Sequence, residues 1–158
     1  MLAVRVFNIK FKTMKEILEI AKKIHDANEN SCITGTLMLQ IRGIDLGREP
    51  KDIDILICDY APNITFPTDF EVENIGQASD CSGAKYKHKE FIIDVLSDGE
   101  QPEIVNGWRL GTIEKLMQQK YLYSKQNNPD AKKHYDDLVK LGFVFPIETK
   151  PNDDELPW

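Results

Sequence analysis

GTLMLQIRGIDLGREPKDIDILICD, residues 35–59, decides how this chain is read, because it ends in two aspartates spaced i, i+2 inside an apolar run. A strand points alternate side chains to opposite faces, so Asp52 and Asp54 share one face while Ile53 and Ile55 take the other. Two like charges about 4 Å apart repel by roughly 4 kcal/mol at an effective dielectric near 20. A fold does not usually carry that cost without a cation or a shared proton to offset it, so the stretch asks for a metal.

Working outward, SCIT (residues 31–34) reads as a short strand entering Gly35, and Leu37, Met38, Leu39 and Ile41 as a short apolar helix closing near Gly43. A glycine at a strand-to-helix junction lets the backbone approach a ligand closely, and the N–H groups of a helix start favour a phosphate. Taken alone, the glycine reads as a simple turn; the aspartates that follow favour the phosphate reading. After a polar loop, DIDILIC (residues 52–58) has the apolar density of a central strand. Downstream, KYKHK (residues 85–89) is a basic patch, either a solvated hairpin or a guide for a polyanion, and it leads into a second strong strand, EFIIDVL (residues 90–96). Asp94 interrupts that run and is expected to be at least half buried, a position that unpaired aspartates avoid. Three convergent aspartates suit Mg2+, which takes a few carboxylates together with water and substrate phosphate.

The rest of the chain reads as scaffold. Residues 2–11 alternate loosely, as a short strand or an extended arm, and Thr13 to Glu16 has the form of a capping box. The helix it opens carries Ile17, Ile20, Ala21, Ile24 and Ala27 on one stripe, with His25 beside the stripe as a partly exposed structural histidine. Residues 61–83 form a long connection with a short strand near 70–72, and residues 98–107 a turn. Gly111-Thr112 opens a helix bearing Ile113, Leu116 and Met117; Lys120, next on that stripe, either snorkels to the surface or points its ammonium into a site. Asn128 and Pro129 start a last helix, with Ala131, Tyr135 and Leu138 inward, Asp136 and Asp137 flanking the stripe, and Gly142 stopping it. The acidic tail, residues 149–158, is expected to be mobile apart from a docking of Trp158.

The 158 residues, 41% apolar and 29% charged, suit one globular domain, with a core at about residues 13–97 and a helical part at 108–142. No apolar run is long enough to span a membrane or serve as a signal peptide, which makes the cytoplasm the expected location. Cys32, Cys58 and Cys81 form no C-x-x-C pair; the first two read as buried strand residues and Cys81 as exposed in a polar loop. A net charge of −6 argues against a general nucleic-acid binder. No nucleophile stands with a base, and no Walker loop, G-x-S-x-G or H-E-x-x-H is present.

Thr34-Gly35-Thr36, then Asp52-Ile53-Asp54, then Asp94 on a later strand resemble the signature of the nucleotidyltransferase superfamily that includes DNA polymerase beta. The similarity is greatest to its small bacterial and phage members, the minimal nucleotidyltransferases and the AbiE-type toxin nucleotidyltransferases. It extends to GTIEKLMQQKYLYSK (residues 111–125) and AKKHYDDLVKL (residues 131–141), which look like the family's late helix pair. The resemblance implies an α+β fold, a mixed β-sheet flanked by helices with a C-terminal helix pair. It implies nucleotide binding by Gly35, Thr36 and Lys120, and Mg2+ or Mn2+ on Asp52, Asp54 and Asp94, which are also the catalytic acids. Asp94 would in addition take up a proton from the attacking hydroxyl. Thr36 stands where serine is commoner, and the segment between Thr36 and Asp52 is longer than the usual spacing.

The implied function is metal-dependent transfer of a nucleoside monophosphate from a nucleoside triphosphate, ATP among the candidates, to a hydroxyl. The acceptor stays open among tRNA or another RNA 3′ end, a protein side chain and a small molecule such as an aminoglycoside. A second reading is a catalytically inactive module of the same fold, binding a nucleotide or a partner protein as a regulator in toxin–antitoxin or phage-defence fashion. A third is an α+β domain whose acids are accidental.

Overall fold

α1 (Leu2–Ala27) leads into β1 (Ser31–Thr34), α2 (Gly35–Ile41), β2 (Asp52–Ile57), β3 (Glu73–Gln77), β4 (Ala84–His88), β5 (Phe91–Ser97), β6 (Glu103–Val105), β7 (Trp108–Leu110), α3 (Ile113–Ser124) and α4 (Ala131–Lys140). The computed structural model describes residues 2–58, 63–77, 83–99 and 101–147, with side chains from Thr13 onward. Cys81 and residues 149–158, for which exposure and mobility are expected, lie outside the described residues. The chain divides into two compact units, Met1–Gln119 and Lys120–Trp158.

In the first unit the strands form a mixed sheet in the order β3-β4-β5-β2-β1-β7-β6. β2 pairs in parallel with β5, and β1 with β7, while the other neighbours are antiparallel. The α+β architecture with a mixed sheet is the one expected, and β2 is central. Its period of two sorts the faces: Ile53, Ile55 and Ile57 are fully buried, with Ile53 aligned with Ile93 and Ile55 with Ile33 and Val95 on neighbouring strands. Each such side chain contributes about 1.5–3 kcal/mol relative to exposure, so this isoleucine layer fixes which face Asp52 and Asp54 take. α1 packs on β1 and β7, and α2 on β1 and β2.

Several local expectations are corrected. Residues 2–11 are helix, not strand or arm, and α1 runs unbroken through Thr13, so the capping box is not a helix start. Leu2, Val6 and Ile9 also fit the i, i+4, i+7 spacing of a helix, and no glycine or proline stops it. Residues 70–72 are not strand: Phe70 N donates to Pro67 O in a turn, and the Phe70 ring stacks on His88. The strand there is β3, an exposed polar edge with a bulge between Asn74 and Gly76, which leaves no apolar alternation to read. The turn expected over residues 98–107 runs into the β6–β7 hairpin, which extends to Leu110. Its Asn106-Gly107 corner has both residues at positive φ (49° and 81°), the conformation that two-residue hairpins favour.

His25 is buried, not partly exposed, and it closes the C-terminal end of α1. The last carbonyls of a helix have no partner within it. Here Arg109 on β7 supplies donors to the carbonyls of His25, Asn28 and Ser31 at 2.6, 2.9 and 2.7 Å, and Asn28 Nδ2 donates to Ile24 O at 2.7 Å. The Arg109 backbone N–H donates to His25 Nε2 at 2.8 Å, so Nε2 is the acceptor and Nδ1 carries the proton that Asp26 accepts at 2.8 Å. Burial, aided by the positive charges of Arg109 and Lys22, lowers the His25 pKa below 6.5 and outweighs the hydrogen bond to Asp26. The unfolded chain therefore binds this proton more readily than the folded one, and stability present above pH 6.5 is lost as pH falls towards the folded value. Denaturant titrations at pH 7.5 and 5.5 are expected to show a larger loss for the wild type than for His25→Gln, whose amide oxygen can still accept from Arg109. Equal losses would remove His25 as the cause.

In the second unit, Tyr121, Tyr135, Phe143 and Phe145 form an aromatic cluster with ring centroids 4.9–6.4 Å apart. α4 begins at Ala131, two residues later than Pro129, and ends with Gly142 at φ 74° and Phe143 N donating to Leu138 O. Leu138 is buried as expected, but Tyr135 is half exposed. Asp137 does not flank the stripe: it is fully buried and accepts from Lys120 Nζ at 2.9 Å. Lys120 thus does not snorkel to the surface; its ammonium is buried on Asp137. His134 lies nearby, its ring 5.2 Å from Tyr123 and its pKa lowered by burial and then by the charges of Lys120 and Lys133. Among the described residues no helix is long and apolar enough to cross a membrane.

Candidate active site

Register across four strands assembles the polar face. Thr34 on β1 is opposite Asp54 on β2, Asp54 is beside Asp94 on β5, and Asp94 is opposite Lys85 on β4. Residues aligned across neighbouring strands point to the same side of a sheet, so Thr34, Asp54, Asp94 and Lys85 form one row. Asp52 lies on the same face two residues along β2, level with Ile92 and Lys87, and is exposed at the strand's start.

Asp94 is the most enclosed of the three acids at 5% exposure; Asp54 is partly buried. The partner that Asp94 requires comes in part from Lys85, whose Nζ stands 3.7 Å from Oδ1. That separation is longer than a charge-assisted hydrogen bond of about 2.7–2.9 Å. Reading each strand separately missed Lys85, because only the antiparallel register of β4 on β5 brings it beside Asp94. The basic run is a hairpin strand: Lys87 is exposed, while His88 is buried with Nδ1 2.9 Å from Glu71 O.

Gly35 stands over the same row. It has φ +70°, and a Cβ built on it would overlap the Asp54 carboxylate. The glycine is needed twice, for a left-handed backbone and for the close approach of α2 to β2. Thr36 follows, partly buried, on α2. Gly35→Ala is expected to destabilise the first unit by about 1–2 kcal/mol from the backbone conformation alone, and to displace the Asp54 side chain. Thermal unfolding measures the first effect, and an unchanged Tm would show that the junction relaxes freely.

The donor set suits a hard divalent cation. Asp54 and Asp94 are aligned on adjacent parallel strands, with Gly35 close over Asp54, and Mg2+ is commonly held by one or two carboxylates with water and substrate phosphate completing its shell. Among the described residues no three His, Cys, Asp or Glu side chains come together as one metal-binding group. Lys120 belongs to the second unit, where Asp137 holds its ammonium. The thiols of Cys32 and Cys58, with sulfurs 3.9 Å apart, lie at the β1–β2 pairing; Cys32 is buried and Cys58 half-buried.

No protein-family profile matches the chain, nor does any curated sequence. Solved structures do. JHP933 from Helicobacter pylori superposes with a TM-score of 0.55 at 16% identity, over 84% of this chain and 65% of its own. The antibiotic-resistance factor ANT(2'')-Ia gives 0.52 at 13% identity, over 81% of this chain and 85% of its own. An H. pylori protein provisionally assigned as a nucleotidyltransferase gives 0.52 at 15% identity, over 82% and 66%. The chain thus spans about two thirds of the length of the two H. pylori proteins. At such identities the likeness speaks for the backbone, and with the mixed sheet and its row of acids it shows that this chain has the nucleotidyltransferase fold.

Proposed function

We propose that the chain is a metal-dependent nucleotidyltransferase, moving a nucleoside monophosphate from a nucleoside triphosphate to a hydroxyl. The observation that carries this reading is the alignment of Asp54 with Asp94 on parallel strands beneath Gly35, within a nucleotidyltransferase fold. Asp54 and Asp94, with Asp52 further along the face, would hold Mg2+ or Mn2+. When bound, such an ion supplies positive charge to the phosphoryl group in transfer and to the leaving pyrophosphate.

The chain's own residues do the rest. Gly35 and Thr36 offer backbone and hydroxyl contacts to the triphosphate, at a junction where no side chain intervenes before Asp54. The carboxylate of Asp94, enclosed on β5, accepts the proton released as the acceptor hydroxyl attacks the α-phosphorus and the bond to pyrophosphate breaks. The isoleucine layer beneath β2 and β5 keeps the two carboxylates aligned, so positioning and electrostatics carry the reaction without a covalent enzyme intermediate.

Incubating the protein with Mg2+ and each of four α-labelled triphosphates, together with RNA, protein and aminoglycoside acceptors, tests the proposal. The expected result is transfer of label with release of pyrophosphate. Metal-dependent nucleotide binding without pyrophosphate release for any acceptor would favour the regulatory module instead.

A further inference from the structure

The row of four side chains contains a cation that the resemblance does not supply. Lys85 shares the face of Asp54 and Asp94, with its ammonium 3.7 Å from Oδ1 of Asp94. Asp94 is nearly enclosed, so water screens its charge poorly, and a nearby cation matters more there than at a surface pair. The Lys85 side chain is about one third exposed, and a lysine stem is flexible, so the ammonium can swing to solvent at small cost.

We infer that Lys85 is a built-in counter-ion for the carboxylate pair and competes with a divalent cation for Asp94. The inference rests on the proposed metal role of Asp54 and Asp94. With no metal bound, the ammonium offsets part of the repulsion between two aspartates aligned on adjacent strands. When a divalent cation arrives, the ammonium moves out and the cation takes over that compensation. Lys85 therefore weakens metal binding to the protein alone, so that metal is held well only when triphosphate brings further negative charge.

Mn2+ titration of the full chain without nucleotide, followed by the electron paramagnetic resonance of free Mn2+, tests this. Lys85→Met keeps the apolar stem and removes the charge, and is expected to bind Mn2+ about tenfold more tightly than the wild type. Lys85→Arg keeps the charge and is expected to stay within about twofold of wild type. Without metal, Lys85→Met should unfold at a lower temperature than wild type, and saturating Mn2+ should close that gap. Equal Mn2+ affinity in wild type and Lys85→Met, with binding lost in Asp54→Asn, would overturn the role of Lys85 while the metal reading stands. If neither wild type nor Lys85→Met binds Mn2+, with or without a triphosphate, the metal reading falls and this inference falls with it.

Discussion

Asp94→Asn is expected to lower nucleotidyl transfer by on the order of 10³-fold, equivalent to about 4 kcal/mol of transition-state stabilisation, and to leave the fold intact. Asparagine matches aspartate in size, so the packing of β5 against β2 and β4 is retained. What disappears is the negative charge and the basic oxygen. The pair that Asp94 makes with Lys85 is long and its lysine partly exposed, so its loss costs on the order of 1 kcal/mol, and relief of repulsion from Asp54 works in the opposite direction. Activity and stability should thus separate: pyrophosphate release collapses while the thermal midpoint stays close to wild type. Asp54→Asn should behave alike, because the two carboxylates share one row. Wild-type rates in both variants would end the proposal of a two-carboxylate active site.

The second large effect concerns stability. Lys120 is 5% exposed and Asp137 fully buried, with the ammonium donating to Oδ2 at 2.9 Å. Removing one member of such a pair leaves a charge in poorly solvated surroundings, and Asp137→Ala is expected to cost the second unit about 3–5 kcal/mol. Replacing both, as in Lys120→Met with Asp137→Leu, should recover most of that loss, since apolar groups of similar volume need no compensation. Hydrogen exchange of the α4 amides is the direct measurement. Protection that is lost in the single variant and regained in the double one confirms the pair as a stabilising unit; protection unchanged in Asp137→Ala would show that the carboxylate is readily replaced.

The parts of the fold that could be read from sequence are those in which one segment carries its own signal. DIDILIC and FIIDVL announce strands because each has the apolar density of a buried strand, and their acids stand out against it. Gly35 and Gly43 bracket α2 where the chain needs positive φ. What could not be read depends on a distant segment. His25 looks half exposed until Arg109, 84 residues away, places its backbone N–H on the ring. Asp137 looks like a flanking acid until Lys120 reaches it, and Lys85 looks like part of a solvated patch until β4 pairs with β5. The β6–β7 hairpin was signalled by Asn106-Gly107, but three-residue strands are too short to show a period. Residues 2–11 fit two periods at once, and their sequence does not choose between them.

The aspartates on β2 and β5 also act before any ligand is present, as proofreaders of strand alignment. Sliding β5 by one residue along β2 would turn every side chain of the shifted strand to the other face, carrying Asp94 into the layer of Ile53, Ile55 and Ile57. An ionised carboxylate there would lack both water and a cation, at a cost of several kcal/mol. Apolar neighbours alone would discriminate poorly between the two alignments, because FIIDVL offers apolar residues on both of its faces. The acids that repel each other in the correct pairing are thus also what makes the incorrect one untenable.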